Sequence, residues 1–348
     1  MRSQQSRADP GSWAFLSTRI GRRLLAVFIA ASLAPLLVVA WFTLSTTRAT
    51  TEEQTHAVLR AAADGAEAQL REFLKHLEDQ TLDFAQDHKL REILEISKAD
   101  STPTAALSSL LAHERGIFSE VQELFVVLPD GRLLASSTAT NLSRDYTGAD
   151  FFTYGQQGYF GGDVAIDPVN GRLTWVMAAP IRDVSDRHLL GVLAVRVDPR
   201  TLSDLTTGRR VLATGADTQA FRIGETGETY IVNRDRLMIT ESRRIPNSVL
   251  RVRVDTLPIR KAFEEDQELA GNYRDCRGEE VTGASMILRD RGWVVVTEMD
   301  FRQAFAPIFL LERRFLAVSI ALALVAVFLA WSFTRRIIRP IQLLEERS

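Results

Sequence analysis

The chain has 348 residues, 46% hydrophobic and 25% charged, enough apolar content for a packed core and too much for a disordered or fibrous chain. A formal net charge of -2 supplies no basic field, so composition argues against nucleic-acid binding. The single cysteine, Cys276, excludes an intrachain disulfide and any multi-cysteine metal site.

Residues 1–23 carry Arg2, Arg7, Arg19, Arg22 and Arg23 against Asp9 alone, the signature of a cytoplasmic flank. Residues 24–44 contain no charged side chain, and about 20 apolar residues suffice to cross a ~30 Å hydrocarbon core. A cleaved signal peptide has a shorter apolar stretch, about 7–15 residues. Trp41 and Phe42 near the far end suit an interfacial belt, so the run is read as a retained transmembrane helix with a kink at Pro35.

Leu59, Ala63, Ala66, Leu70, Phe73, Leu77, Gln80 and Phe84 then recur at intervals of four and three, a heptad face. With no proline from Thr51 to Ile96, the segment predicts one long helix. The face suits either packing on its own domain or a homodimer stalk, and the pattern does not choose between them.

Ser101-Thr-Pro-Thr breaks this period, and Leu107–Phe118 predicts a second, short helix. A hairpin follows around Asp130-Gly131, then strands at 159–166, 173–181 and 189–197, which together predict a five-stranded antiparallel sheet. After a helix from Pro199 the programme repeats on a smaller scale. Strands are predicted at 229–232, 237–240, 271–274, 281–288 and 292–298, with a helix near 258–266. Residues 315–333 form a second uncharged apolar run, read as a second transmembrane helix and followed by Arg335, Arg336 and Arg339.

The order Phe160-Gly-Gly-Asp163-Val-Ala-Ile-Asp167-Pro-Val-Asn-Gly171, Ala178-Ala-Pro-Ile181 and Gly191-Val-Leu-Ala-Val-Arg-Val-Asp198 resembles the double Cache family of tandem PAS-like sensor modules. Gly224-Glu-Thr-Gly-Glu-Thr-Tyr230-Ile-Val-Asn233 and Gly292-Trp-Val-Val-Val-Thr-Glu298 extend the resemblance to the second half. Thr334-Arg-Arg-Ile-Ile-Arg339-Pro340-Ile341 resembles the start of a HAMP relay helix. The resemblance implies an α+β fold: a long N-terminal stalk helix with two tandem PAS-like antiparallel-sheet modules, flanked by two transmembrane helices. The sensor domain is expected over residues 48–308, with a distal module at 100–200, a proximal module at 206–300 and a cytoplasmic HAMP helix from residue 334 to 348.

No catalytic or metal-binding constellation is present in the sequence, and no cofactor is expected. The five histidines are scattered, and neither a phosphate-binding glycine loop nor a nucleophile motif occurs. In the family pattern for amino-acid ligands, an Arg-x-Trp-Tyr signature falls at Ala149-Asp150-Phe151-Phe152, a strand aromatic at Ala165, and two acids at Asp167 and Arg196. Only Asp167 matches, so the generic amino-acid reading is not supported.

Arg196 instead offers a planar fork for an anion, pairs internally with Asp167, or points outward into solvent; the three readings stay open. Around it the candidate ligand residues are Tyr146, Phe151, Phe152, Tyr154, Tyr159 and Trp175, a cluster equally suited to core packing, together with Arg144 and Asp163. Tyr230, Asn233 and Arg243 are secondary candidates in a module expected to transmit rather than bind. The expected function is a multi-pass inner-membrane receptor that senses a small extracytoplasmic solute and signals to a cytoplasmic output. The competing reading is a membrane-anchored protein whose outer modules bind a protein partner.

Overall fold

The computed structural model describes residues 19–97, 104–118, 120–138, 144–168, 170–207 and 224–333. The chain divides into two compact units, residues 55–303 on one hand and residues 1–54 with 304–348 on the other. In the second unit, α1 (Arg19–Ala85) begins and α8 (Ala306–Phe333) lies, both with exposed large apolar side chains such as Val38, Trp41, Leu316 and Phe328. Among the described residues no helix is long and apolar enough to cross a membrane. The HAMP-like segment from residue 334 lies outside the described residues, as do residues 1–18.

The larger unit starts with the remainder of α1. Leu59, Ala63, Ala66, Leu70, Phe73, Leu77 and Phe84 are all buried within the single chain, so this heptad face is spent on the domain's own core. The expected continuous helix to Ile96 does not form. α1 stops at Ala85, the Asp87 N–H bonds the Phe84 carbonyl at 3.1 Å, and Asp87 Oδ1 accepts the Leu90 N–H at 3.0 Å. An aspartate that can serve an orphan helical N–H starts a new helix, α2 (His88–Ser97). α3 (Thr104–Ile117) follows.

The first module contains β1 (Val121–Val127), β2 (Leu133–Ser136), α4 (Asp150–Gly155), β3 (Phe160–Ile166), β4 (Leu173–Arg182), β5 (Leu189–Val197) and α5 (Arg200–Thr206). Its five strands run β2-β1-β5-β4-β3, with antiparallel pairing. The Gly161-Gly162 pair sits at a register shift in β3, the bulge its position in a strand predicts.

Strand alternation separates the two faces of this sheet. Leu193, Val195 and Val197 join Trp175, Met177 and the α1 side chains in one core, whereas Val192 and Ala194 join Phe125, Tyr146 and Phe152 in another.

The second module contains β6 (Glu228–Val232), α6 (Leu257–Glu265), β7 (Ala270–Arg274), β8 (Glu280–Leu288), β9 (Trp293–Asp300) and α7 (Phe301–Ala304). Its four strands run β6-β9-β8-β7. The strand expected at 237–240 is replaced by isolated bridges, because its backbone divides its bonds: Ile239 N–H goes to Ile231 O at 2.9 Å and Met238 N–H to Val252 O at 3.0 Å. The core beneath α1 continues from the first module into the second, where Trp175 and Trp293 meet with ring centroids 6.0 Å apart.

Candidate functional site

The face of the first sheet turned away from α1 carries a buried polar cluster. Glu123 on β1 is in register with Arg196 on β5, which is in register with Val176 on β4. Alternation therefore places Arg196 beside Phe125 and Ala194 on this face, not in solvent.

Asp167 arrives from the β3–β4 hairpin, held by its N–H to Arg172 O at 2.8 Å and by Gly171 N–H to its own carbonyl at 2.9 Å. Arg144 arrives from the segment after β2, which is tied down by Leu133 N–H to Arg144 O at 3.1 Å and Tyr146 N–H to Gly131 O at 2.8 Å.

Two guanidiniums converge on one carboxylate. Arg196 Nη1 donates to Asp167 Oδ2 at 3.0 Å, and Arg144 Nη2 donates to Oδ1 at 2.9 Å and Oδ2 at 3.1 Å. Arg196 Nε also lies 3.1 Å from Glu123 Oε2, an ion pair outside hydrogen-bond geometry. Glu123 Oε1 in turn accepts Ser136 Oγ at 2.6 Å and Thr138 Oγ1 at 2.9 Å. Burying these charges is tolerable because each meets an opposite charge and the two carboxylates accept further donors.

Aromatic rings roof the cluster. Arg196 lies over Phe125 at 5.6 Å and Arg144 over Tyr146 at 4.9 Å, both cation–π contacts. Phe125, Tyr146 and Phe151 contact one another pairwise at 5.2–5.7 Å between centroids. Burial pushes the Tyr146 hydroxyl above its ordinary value, against the opposing pull of the Arg144 and Arg196 charges. Phe152, on α4, is buried in the same apolar cluster.

The remaining sequence candidates lie elsewhere. Trp175 is buried on the opposite face against Phe73 and Trp293, its indole N–H bonded to Gly162 O at 2.8 Å. Asp163 accepts Asn233 Nδ2 at 2.9 Å and Trp293 Nε1 at 3.1 Å, and Tyr159 meets Arg291, so both join the two modules. Tyr154 is exposed and stacks on Phe160.

Glu123 and Phe125 escaped the sequence reading. A glutamate in the otherwise apolar Glu123-Leu-Phe-Val-Val strand was the available signal. In the second module, Tyr230 is fully buried, Asn233 serves the junction, and Arg243 Nη1 bonds Gly227 O at 2.7 Å.

A long helix, two antiparallel-sheet modules on one core and a roofed polar cluster on the first sheet define a tandem PAS-like sensor domain. The Cache domain model dCache_1 matches residues 44–308, and the chain belongs to that family.

Solved structures agree in fold. The sensor domain of the Vibrio cholerae histidine kinase DctB is 12% identical at TM-score 0.52, covering 73% of this chain and 98% of that one. The ligand-binding domain of the Pseudomonas fluorescens chemoreceptor CtaA in complex with L-isoleucine is 13% identical at TM-score 0.52, covering 75% and 98%. The sensory domain of the Campylobacter jejuni chemoreceptor Tlp3 with isoleucine bound is 13% identical at 0.51, covering 76% and 98%. No curated protein matches the sequence.

Proposed function

We propose that the chain is the sensing and membrane-crossing part of a bacterial receptor. In this reading a small extracytoplasmic solute binds the first module, and the change passes through the second module and residues 315–333 to a cytoplasmic output. Residues 24–44 and 315–333 supply the two spans. The crossings rest on these uncharged runs, each near the ~20 residues a bilayer needs, since no described helix qualifies as a span. A HAMP-like helix from residue 334 and homodimerisation belong to the same proposal. A dimer must use surfaces other than the buried Leu59–Phe84 face.

The observation that carries the ligand assignment is the convergence of Arg144 and Arg196 on Asp167 beneath an aromatic roof. Two guanidinium forks that already hold one carboxylate offer the same geometry to a ligand carboxylate exchanging with it. The ligand is therefore a small organic anion, and binding shifts the module between two packings by its differential affinity for them.

The test is a thermal-shift series of organic acids, amines and purines on the purified chain. Stabilisation by an organic acid, lost in Arg196→Ala and weakened in Arg196→Lys, is expected. Full retention of binding by Arg196→Ala sinks the assignment.

A further inference from the structure

The second module contains a buried acid that the ligand reading does not use. Glu298 on β9 is directly opposite Glu228 on β6 and Gly283 on β8. Its side chain therefore shares a face with Glu228, in the interior of the sheet, where two like charges side by side are unfavourable.

Glu298 is 2% exposed, and its two oxygens differ. Oε2 accepts the Tyr273 hydroxyl at 2.7 Å and the Tyr230 hydroxyl at 3.1 Å. Oε1 is buried without a hydrogen-bond partner.

Around it, β6 presents Glu228 and Tyr230, and β7 presents Tyr273. The β7–β8 turn presents Asp275, Cys276 and Arg277. Asp275 is engaged by Arg277, whose Nε donates to it at 2.7 Å, while Glu228 Oε2 accepts Ser242 Oγ at 2.7 Å and the Arg243 N–H at 2.9 Å. Those two acids thus have donors of their own, and they act on Glu298 as like charges.

We propose that the second module is itself a proton sensor, with Glu298 taking up and releasing one proton inside the sheet. Protonation at Oε1 leaves Oε2 free to accept from both tyrosines and removes the charge from the dry core, leaving one unbonded O–H in place of a bare anionic oxygen. Loss of that proton leaves a buried carboxylate with one bare oxygen beside Glu228, and the sheet must open locally to hydrate it. β9 ends at Asp300 and passes straight into α7, so a disturbance at Glu298 lies two residues from the chain's exit towards α8.

Burial is the main reason the acid is weak, pushing the carboxyl up to about 8; the Glu228 and Asp275 charges push the same way, and the tyrosine hydrogen bonds pull against them.

The experiment is pH-difference infrared spectroscopy of the full chain in lipid nanodiscs, following the band of a protonated carboxyl. We expect it to vanish around pH 8, and to be missing in Glu298→Gln. Glu228→Gln should move the midpoint down by removing a like charge, and Tyr273→Phe should move it up by removing a bond to the charged form. A wild type with no titration within two units of that value, or a Glu298→Gln variant that titrates like wild type, overturns the proposal. Should Glu298→Gln fail to accumulate, unmoved midpoints in the other two variants overturn it equally.

Discussion

Arg196 and Asp167, 29 positions apart in sequence, form a buried ion pair with Nη1 3.0 Å from Oδ2. Asp167 is 3% exposed and also takes two bonds from Arg144, whose side chain is the more open to water of the two guanidiniums, 21% exposed against 11%. Removing one partner of a buried pair costs about 3–5 kcal/mol, because the other charge stays behind. Arg196→Ala should lose stability of that order in urea unfolding, and Arg144→Ala about 1.5–3 kcal/mol, the value of a charged hydrogen bond. A reversed order would contradict the cluster as described.

Glu298 sets a pH dependence with a definite sign. Its folded value of about 8 exceeds the ordinary 4.5, so between those values the folded state holds a proton that the unfolded chain has released. Stability contributed by the neutral acid is complete below about 4.5, declines as pH rises through the window, and levels off above about 8. Urea midpoints measured across that range should fall in wild type and flatten in Glu298→Gln.

Leu70 distinguishes a self-packed helix from a dimer seam. It is 4% exposed within one chain. Leu70→Ala should cost about 2–5 kcal/mol of unfolding free energy as a core cavity while leaving the sedimentation coefficient unchanged. Dissociation of an oligomer by this change would place the face at an interface instead.

Two glycines with crowded surroundings should respond to different degrees. A Cβ at Gly283 would meet the Thr297 carbonyl at 2.8 Å and Glu298 Cβ at 2.9 Å, as well as the Tyr273 hydroxyl, and strand backbone cannot retreat. Gly283→Ala should cost about 1–3 kcal/mol and displace Tyr273 from Glu298. At Gly161 the obstacle is the mobile end of Arg291, which can swing away. Gly161→Ala should therefore cost less than Gly283→Ala when their melting temperatures are compared.

The elements themselves were largely legible in the sequence. Period-two alternation and turn residues located the nine strands of the two sheets, the Gly161-Gly162 bulge included. The errors came where a side chain or a distant segment intervened. Asp87 restarted a helix that periodicity alone carried onward, and residues 237–240 shared their bonds between β6 and the segment around Val252.

The candidate site was legible only in part, and the reason is the range over which each signal acts. Sequence alone singled out Arg196 and Asp167 but left Arg196 as an anion fork, a partner of Asp167 or a solvated side chain; the register of β5 between β1 and β4 turns it inward onto Asp167. Whether an aromatic lines the cluster or seals a core depends on what lies over that face of the sheet. Trp175 looked equivalent to Tyr146, but α1 covers one face and the segment from Arg144 through α4 the other. Glu123 entered the cluster through a cross-strand register with Arg196, a pairing between segments 73 residues apart that only the folded sheet creates. Composition and periodicity determined the modules and their order, and packing decided which residues share the site.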